Sequence, residues 1–209
     1  MKSIVPKDIL VIGAGGHARV LLEALVLSGR EIVGMVDPDK QAGTECFGFR
    51  VLGGDDVLQG LNPREIELVN GIGTMPGRDT RWRVASRMRS LGFEFSKVVH
   101  PSAIIGVDTV LEPGVQIMAG AIIQPGTRVG VDSIINTGAI VDHDCEIGGC
   151  CHLGPGVVLS GNVTVGEYSH IGTGSSIIQG ITVGDCSLVA AGSVVYKDIP
   201  RNTRYIQHK

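Results

Sequence analysis

The sequence predicts two units of different architecture: a short α/β unit over residues 1–100, then a solenoid over residues 101–209. Three observations carry this. Strand-like and helix-like stretches alternate at the start of the chain. A six-residue period takes over at Ala103 and runs unbroken to Asp198. Glycine is abundant (31 residues) while aromatic content is only 4%, as a repeating, tight-cornered architecture requires.

In the first unit, Asp8 to Ile12 reads as a buried strand, followed by Gly13-Ala14-Gly15-Gly16-His17-Ala18. Ala18 to Ser28 has helical periodicity and stops at Gly29. Glu31 to Val36 is a second strand ending in Asp37, and Glu65 to Val69 a third. Arg78 to Ser90 reads as a basic, exposed helix ending before Gly92. Strands alternating with helices imply an α/β layer structure.

The second unit divides into sixteen hexads, from AIIGVD at Ala103 to SVVYKD at Asp198, with no insertion. The third residue of every hexad is Ile, Leu or Val, and the first is Ala, Ser, Thr, Cys, Val or Ile. One aliphatic side chain per six residues points into a narrow prism, and a small neighbour fits beside it at the turn. Cys145 and Cys151 hold the small first position, which makes them core filler and not nucleophiles.

Charge and composition exclude several roles. With net charge −3 and no basic stripe, nucleic acid and anionic membrane surfaces are not expected partners. No apolar run reaches ~18 residues, and Met1 to Lys7 has no signal-peptide core, so a cytoplasmic protein without membrane insertion is expected. Five cysteines with no C-x-x-C pair argue for free thiols and no metal.

Two motifs suggest chemistry. Gly13-x-Gly15-x-x-Ala18 lies after a strand and before a helix, with Asp37 about twenty residues on, the context of a dinucleotide fingerprint. Its glycines permit close backbone approach, and the helix N-terminus favours an anion. The unit is short for an NAD site, whereas a nucleotide-diphosphate sugar uses the same cradle with Asp37 accepting from ribose or base. The second motif is Val141-Asp142-His143-Asp144-Cys145, where an imidazole beside a carboxylate suits a general base. Of the other histidines, His100 and His208 read as structural.

The hexads resemble those of the hexapeptide-repeat acyltransferases, and with the G-A-G-G-H-A unit the whole chain resembles the sugar O-/N-acetyltransferase family. That family includes sialic acid O-acetyltransferases and bacillosamine- or perosamine-type N-acetyltransferases. The resemblance implies a Rossmann-like N-terminal domain and a left-handed parallel β-helix with three hexads per coil, hence about five coils. It implies acetyl-CoA as donor and a nucleotide sugar held by Gly15, Gly16, His17, Asp37 and Gly73. It makes His143 the base, with Asp144 as its partner, and puts His152 beside the acetyl group of CoA.

At three hexads per coil, residues 18 apart stack on one face. Gly161 then lies above His143, where its backbone N–H would meet an oxyanion. Thr173 and Ala191 stack on the side of His152, where a pantetheine arm would meet their amides. His143 and His152, nine apart, face different sides of the prism and share a site only across a subunit boundary, which the homotrimers common in this family provide. The tail from Pro200 lacks the G-x-P-A segment frequent in such transferases, which leaves the adenine end of CoA unassigned. The leading expectation is N-acetylation of a nucleotide-linked amino sugar for surface-glycan synthesis. O-acetylation of a sialic-acid-like sugar, a non-catalytic scaffold and an NAD-binding sensor are the alternatives.

Overall fold

The computed structural model describes residues 7–207; the first six residues, His208 and Lys209 lie outside it. The chain forms two compact units, Met1–Val98 and Val99–Lys209.

The first unit is built on one sheet. Strand β1 (Asp8–Ile12) is central, with β2 (Ile32–Val36) on one side and β5 (Ile66–Asn70) on the other, both parallel to it. Beyond β2 lies β4 (Phe49–Gly53), which forms a hairpin with β3 (Glu45–Cys46); β6 (Glu94–Phe95) follows β5. The hairpin was not foreseen from the sequence. Ile9, Leu10 and Val11 are fully buried, as a central strand covered on both faces must be. The chain winds outward from β1 to β4, then returns to β5, so strand order reverses between β1 and β5. Open α/β sheets bind ligands at the carboxyl ends of such a pair.

Helix α1 (Gly16–Leu27) buries Ala18, Leu21, Leu22 and Leu25, one stripe at 3–4 residue spacing. It ends where Gly29 takes φ +69 and the Ser28 hydroxyl bonds the Ala24 carbonyl at 2.8 Å. Helix α2 (Thr80–Ser90) corrects the expectation of an exposed basic helix from Arg78: it starts at Thr80 and buries Arg81, Ala85 and Met88. Arg81 is 1% exposed because its Nη1 donates to the carbonyls of Asn70 (2.8 Å) and Ile72 (2.7 Å). A buried guanidinium is tolerated only with such partners.

The second unit is a parallel β-solenoid whose two-residue strands stack into three sheets of seven, six and five strands. It is longer than the expected five coils, because Val98–Val99, in register but before the first hexad, and Arg204–Tyr205, out of register after the last, add rungs. Pairing between coils is strictly 18 residues apart over the hexads, as in Ile134↔His152↔His170 and Ile122↔Ile140↔Val158. Third-position residues such as Ile135, Val141, Leu153 and Leu159 are 0% exposed and fill the prism. Buried serines at the first position bond the backbone: Ser133 Oγ donates to the Gly148 carbonyl (2.8 Å) and accepts from the Cys151 amide (2.9 Å). Small hydroxyls are thereby satisfied inside the core. From Asp108 to Gly192, every sixth position has positive φ, which explains why most are Gly, Asp or Asn; Cys150, Tyr168 and Cys186 hold the other three.

Second-position side chains point outward and give each face its character. The six-stranded face exposes Ile104, Ile140 and Val194, with Ile122 and Val158 half-buried. The seven-stranded face carries His152 and His170. Among the described residues no helix is long and apolar enough to cross a membrane.

Candidate active site

At the switch point of the first unit, Gly13 has φ +89 and an added Cβ would lie 3.4 Å from the backbone of Gly71. Gly71 has no room for a side chain: its Cβ would sit 2.7 Å from the Ile12 carbonyl oxygen. These two glycines are needed by the fold, because they let the loops after β1 and β5 run side by side. Gly15 and Gly16 differ. Nothing lies within 4 Å of a Cβ built on either, and both are exposed at the N-terminus of α1. Helix N-terminal amides beneath open space suit an anion. Gly73 is exposed on the neighbouring loop, its built Cβ 3.6 Å from His17. A cleft of about 310 Å³ opens beside it, lined by Gly73, Thr74, Arg78 and Arg81.

Asp37 is more occupied than its motif suggested. Its Oδ2 accepts the Ala14 amide at 2.7 Å and its Oδ1 the Asp39 amide at 3.0 Å. The carboxylate therefore ties the glycine loop to the end of β2.

In the solenoid, His143 and Asp144 occupy a tight corner after the strand Ile140–Val141. Asp144 takes φ +57, which turns its side chain back toward its neighbour. Its Oδ2 lies 2.8 Å from His143 Nδ1. Asp142 instead accepts the His143 backbone amide through Oδ1 at 2.8 Å. The Asp144 hydrogen bond holds the imidazole above its ordinary pKa, opposed by partial desolvation and aided by the charge of Asp142 and Asp144. Because Nδ1 donates to a carboxylate, the lone pair sits on Nε2. Two glycines in adjacent coils make room: a Cβ on Gly126 would meet Asp144 Oδ1 at 2.6 Å, and one on Gly161 would meet His143 Nε2 at 2.6 Å. Gly161 thus lies against His143 Nε2. Gly126 was missed from the sequence, although it is 18 residues before Asp144.

His152 is on the seven-stranded face, away from that corner. Its Nε2 lies 3.1 Å from Asn136 Nδ2, and its ring meets the His170 ring at 4.7 Å, nearly perpendicular. Burial pushes His170 below its ordinary pKa. Thr173 and Ala191 are exposed at successive corners one coil apart. Cys145 and Cys151 are buried; burial raises both thiols, Cys151 to about 12, so neither is a thiolate. His100 Nδ1 accepts the Ser102 amide at 3.0 Å.

A parallel β-solenoid with an imidazole–carboxylate pair at a coil corner, joined to an α/β unit with an open glycine turn at a helix N-terminus, has the makings of an acyl-transfer enzyme. The family described as the PglD N-terminal domain matches residues 8–88. Perosamine N-acetyltransferase from Caulobacter crescentus, in complex with CoA and GDP-perosamine, is 36% identical. That match covers 96% of this chain and 93% of that one, with a TM-score of 0.87. The acetyltransferase domain of PglB from Neisseria gonorrhoeae, in complex with acetyl coenzyme A, is 33% identical over 94% of both chains, with a TM-score of 0.85. WeeI from Acinetobacter baumannii shares the fold at 22% identity and a TM-score of 0.81. No curated protein sequence matches. The chain belongs to the hexapeptide-repeat sugar acetyltransferases, and its solenoid is a left-handed β-helix.

Proposed function

We propose that the enzyme transfers acetyl from acetyl-CoA to the amino group of a nucleotide-linked amino sugar. The observation that carries this is the His143–Asp144 pair at 2.8 Å with Gly161 against Nε2, in a chain 36% identical to a perosamine N-acetyltransferase. The sugar amine attacks the thioester carbonyl carbon while His143 Nε2 takes its proton. The Gly161 N–H faces the developing oxyanion. Collapse breaks the C–S bond, and the imidazolium returns its proton to the CoA thiolate. No acyl-enzyme is needed, and Cys145 and Cys151 are buried thiols. Thr173 and Ala191 line the pantetheine arm on the His152 side. N-acetylation is favoured over O-acetylation because GDP-perosamine, the ligand of the Caulobacter relative, is a nucleotide amino sugar.

The first unit holds the nucleotide through Gly15, Gly16, His17, Asp37 and Gly73, with the diphosphate at the α1 N-terminus. Gly15 is open to a side chain and has ordinary φ, so Gly15→Leu keeps the fold while filling the cradle. Steady-state kinetics should then show KM for the nucleotide sugar raised at least tenfold and KM for acetyl-CoA unchanged. Equal damage to both would remove the loop from the sugar site.

The protein acts in the cytoplasm as a homotrimer with sites at subunit boundaries. The outward column Ile104, Ile122, Ile140 and Val158 lies on the face between His143 and His152, and an apolar face of this kind calls for a partner. Light scattering should give three times the chain mass of 21.9 kDa. Ile140→Glu should shift the species toward monomer and lower activity with it; a monomeric wild type rules this out.

A further inference from the structure

Resting on that reading of the solenoid, the second histidine has a definite protonation state. The amide of Asn136 has only one workable orientation. Its Oδ1 lies 2.8 Å from the Thr137 backbone nitrogen, which can only donate. The oxygen therefore faces Thr137, and the NH2 group faces His152 Nε2 at 3.1 Å. An NH2 group can only donate, so Nε2 must accept. A neutral imidazole that accepts on Nε2 carries its proton on Nδ1, and an imidazolium would set two donors against each other.

His170 supports the same state. Its ring packs edge-to-face on His152 at 4.7 Å and an interplanar angle of 88°, and it pairs one coil up in the same sheet. It is half-buried, with Nδ1 enclosed and without a hydrogen-bond partner. Two stacked imidazoles in contact favour the uncharged form of each.

We propose that Asn136 is a positioning residue that fixes His152 as a neutral imidazole protonated on Nδ1, and so removes it as a base. The two histidines then have the same tautomer and opposite capacities. The His143 lone pair is open and backed by a carboxylate through Nδ1. The His152 lone pair is capped by an amide N–H. His152 Nδ1 is buried, so its N–H is out of reach of a ligand, and the amide of Asn136 is the group able to donate onward.

The test uses the full chain with 15N-labelled histidine and long-range 1H–15N correlations at neutral pH. Signals of His152 are assigned by their loss in His152→Gln. The expected pattern is a protonated Nδ1 and a bare Nε2. In Asn136→Asp the partner becomes an acceptor, and the Nε2 signal should move to the protonated form. A protonated Nε2 in the wild type, or the same pattern in Asn136→Asp, overturns the proposal. A kinetic arm adds a second reading: in His152→Gln the acid limb of kcat/KM against pH should stay at its wild-type position. A shifted limb would make His152 the titrating base and overturn the proposal as well. The NMR pattern is read without substrate, so it stands or falls separately from the assignment of the reaction.

Discussion

Replacing His143 with alanine should lower kcat by about 10²–10⁴-fold, the contribution of a positioned general base, while acetyl-CoA still binds. The side chain is exposed in a single chain and faces outward from a corner, so its loss should leave the melting temperature near that of the wild type. Asp144→Asn should differ in kind. The shape is kept, but the carboxylate that raises the His143 pKa is gone. The base must be neutral to act, so the acid limb of kcat/KM against pH follows the imidazole pKa. Removing the first cause of an upward shift lowers that pKa, and the limb should move to lower pH. The loss of kcat should be smaller than for His143→Ala, because Nε2 remains in place and is only less basic. Near-wild-type turnover in His143→Ala would end the mechanism. An unmoved limb in Asp144→Asn would end the partner assignment.

What the sequence disclosed follows from how each feature is encoded. The hexads are readable because one inward residue in six must be aliphatic, so Ile135, Val141 and Leu153 recur in strict register. The same register makes stacking arithmetic: 18 residues carry His143 to Gly161, where a Cβ would stand 2.6 Å from the ring's Nε2. His143 and Asp144 are adjacent in sequence, and a corner in the left-handed region brings their side chains together. Outside strict repetition the signal fades. The rung Arg204–Tyr205 follows Pro200, where the six-residue period breaks, so no repeat marks it. Arg81 sits among Arg78, Arg83, Arg87 and Arg89, and local composition reads as solvent-facing; its burial is set by carbonyls at the end of β5. Asp37 shows the converse. Its motif points to a ligand, but its oxygens are first taken by loop amides, a contact set by tertiary structure. Asn136 has no motif, and its importance depends on which of its atoms Thr137 claims.

Gly161→Ala should be nearly as damaging as loss of the base, although it adds a single methyl group. The backbone at Gly161 does not have a left-handed φ, so alanine is not strained there. The damage comes from the neighbour: the new Cβ would stand 2.6 Å from His143 Nε2 and 2.7 Å from Cε1, well inside van der Waals contact. The imidazole must swing away, which costs it the Asp144 hydrogen bond or its aim at the amine. The Gly161 N–H is also displaced from the oxyanion, and losing such a donor costs about 10²–10³ in kcat. A double-mutant cycle separates these effects. If the methyl acts mainly by moving the ring, Gly161→Ala should cost little in the His143→Ala background, where no ring remains to be moved, and the two losses should be strongly non-additive. If the N–H is displaced as well, a residual loss persists in that background. Full additivity would mean that Gly161 and His143 do not act on each other, and wild-type kcat in Gly161→Ala alone would mean that the ring does not work from the position the structure gives it.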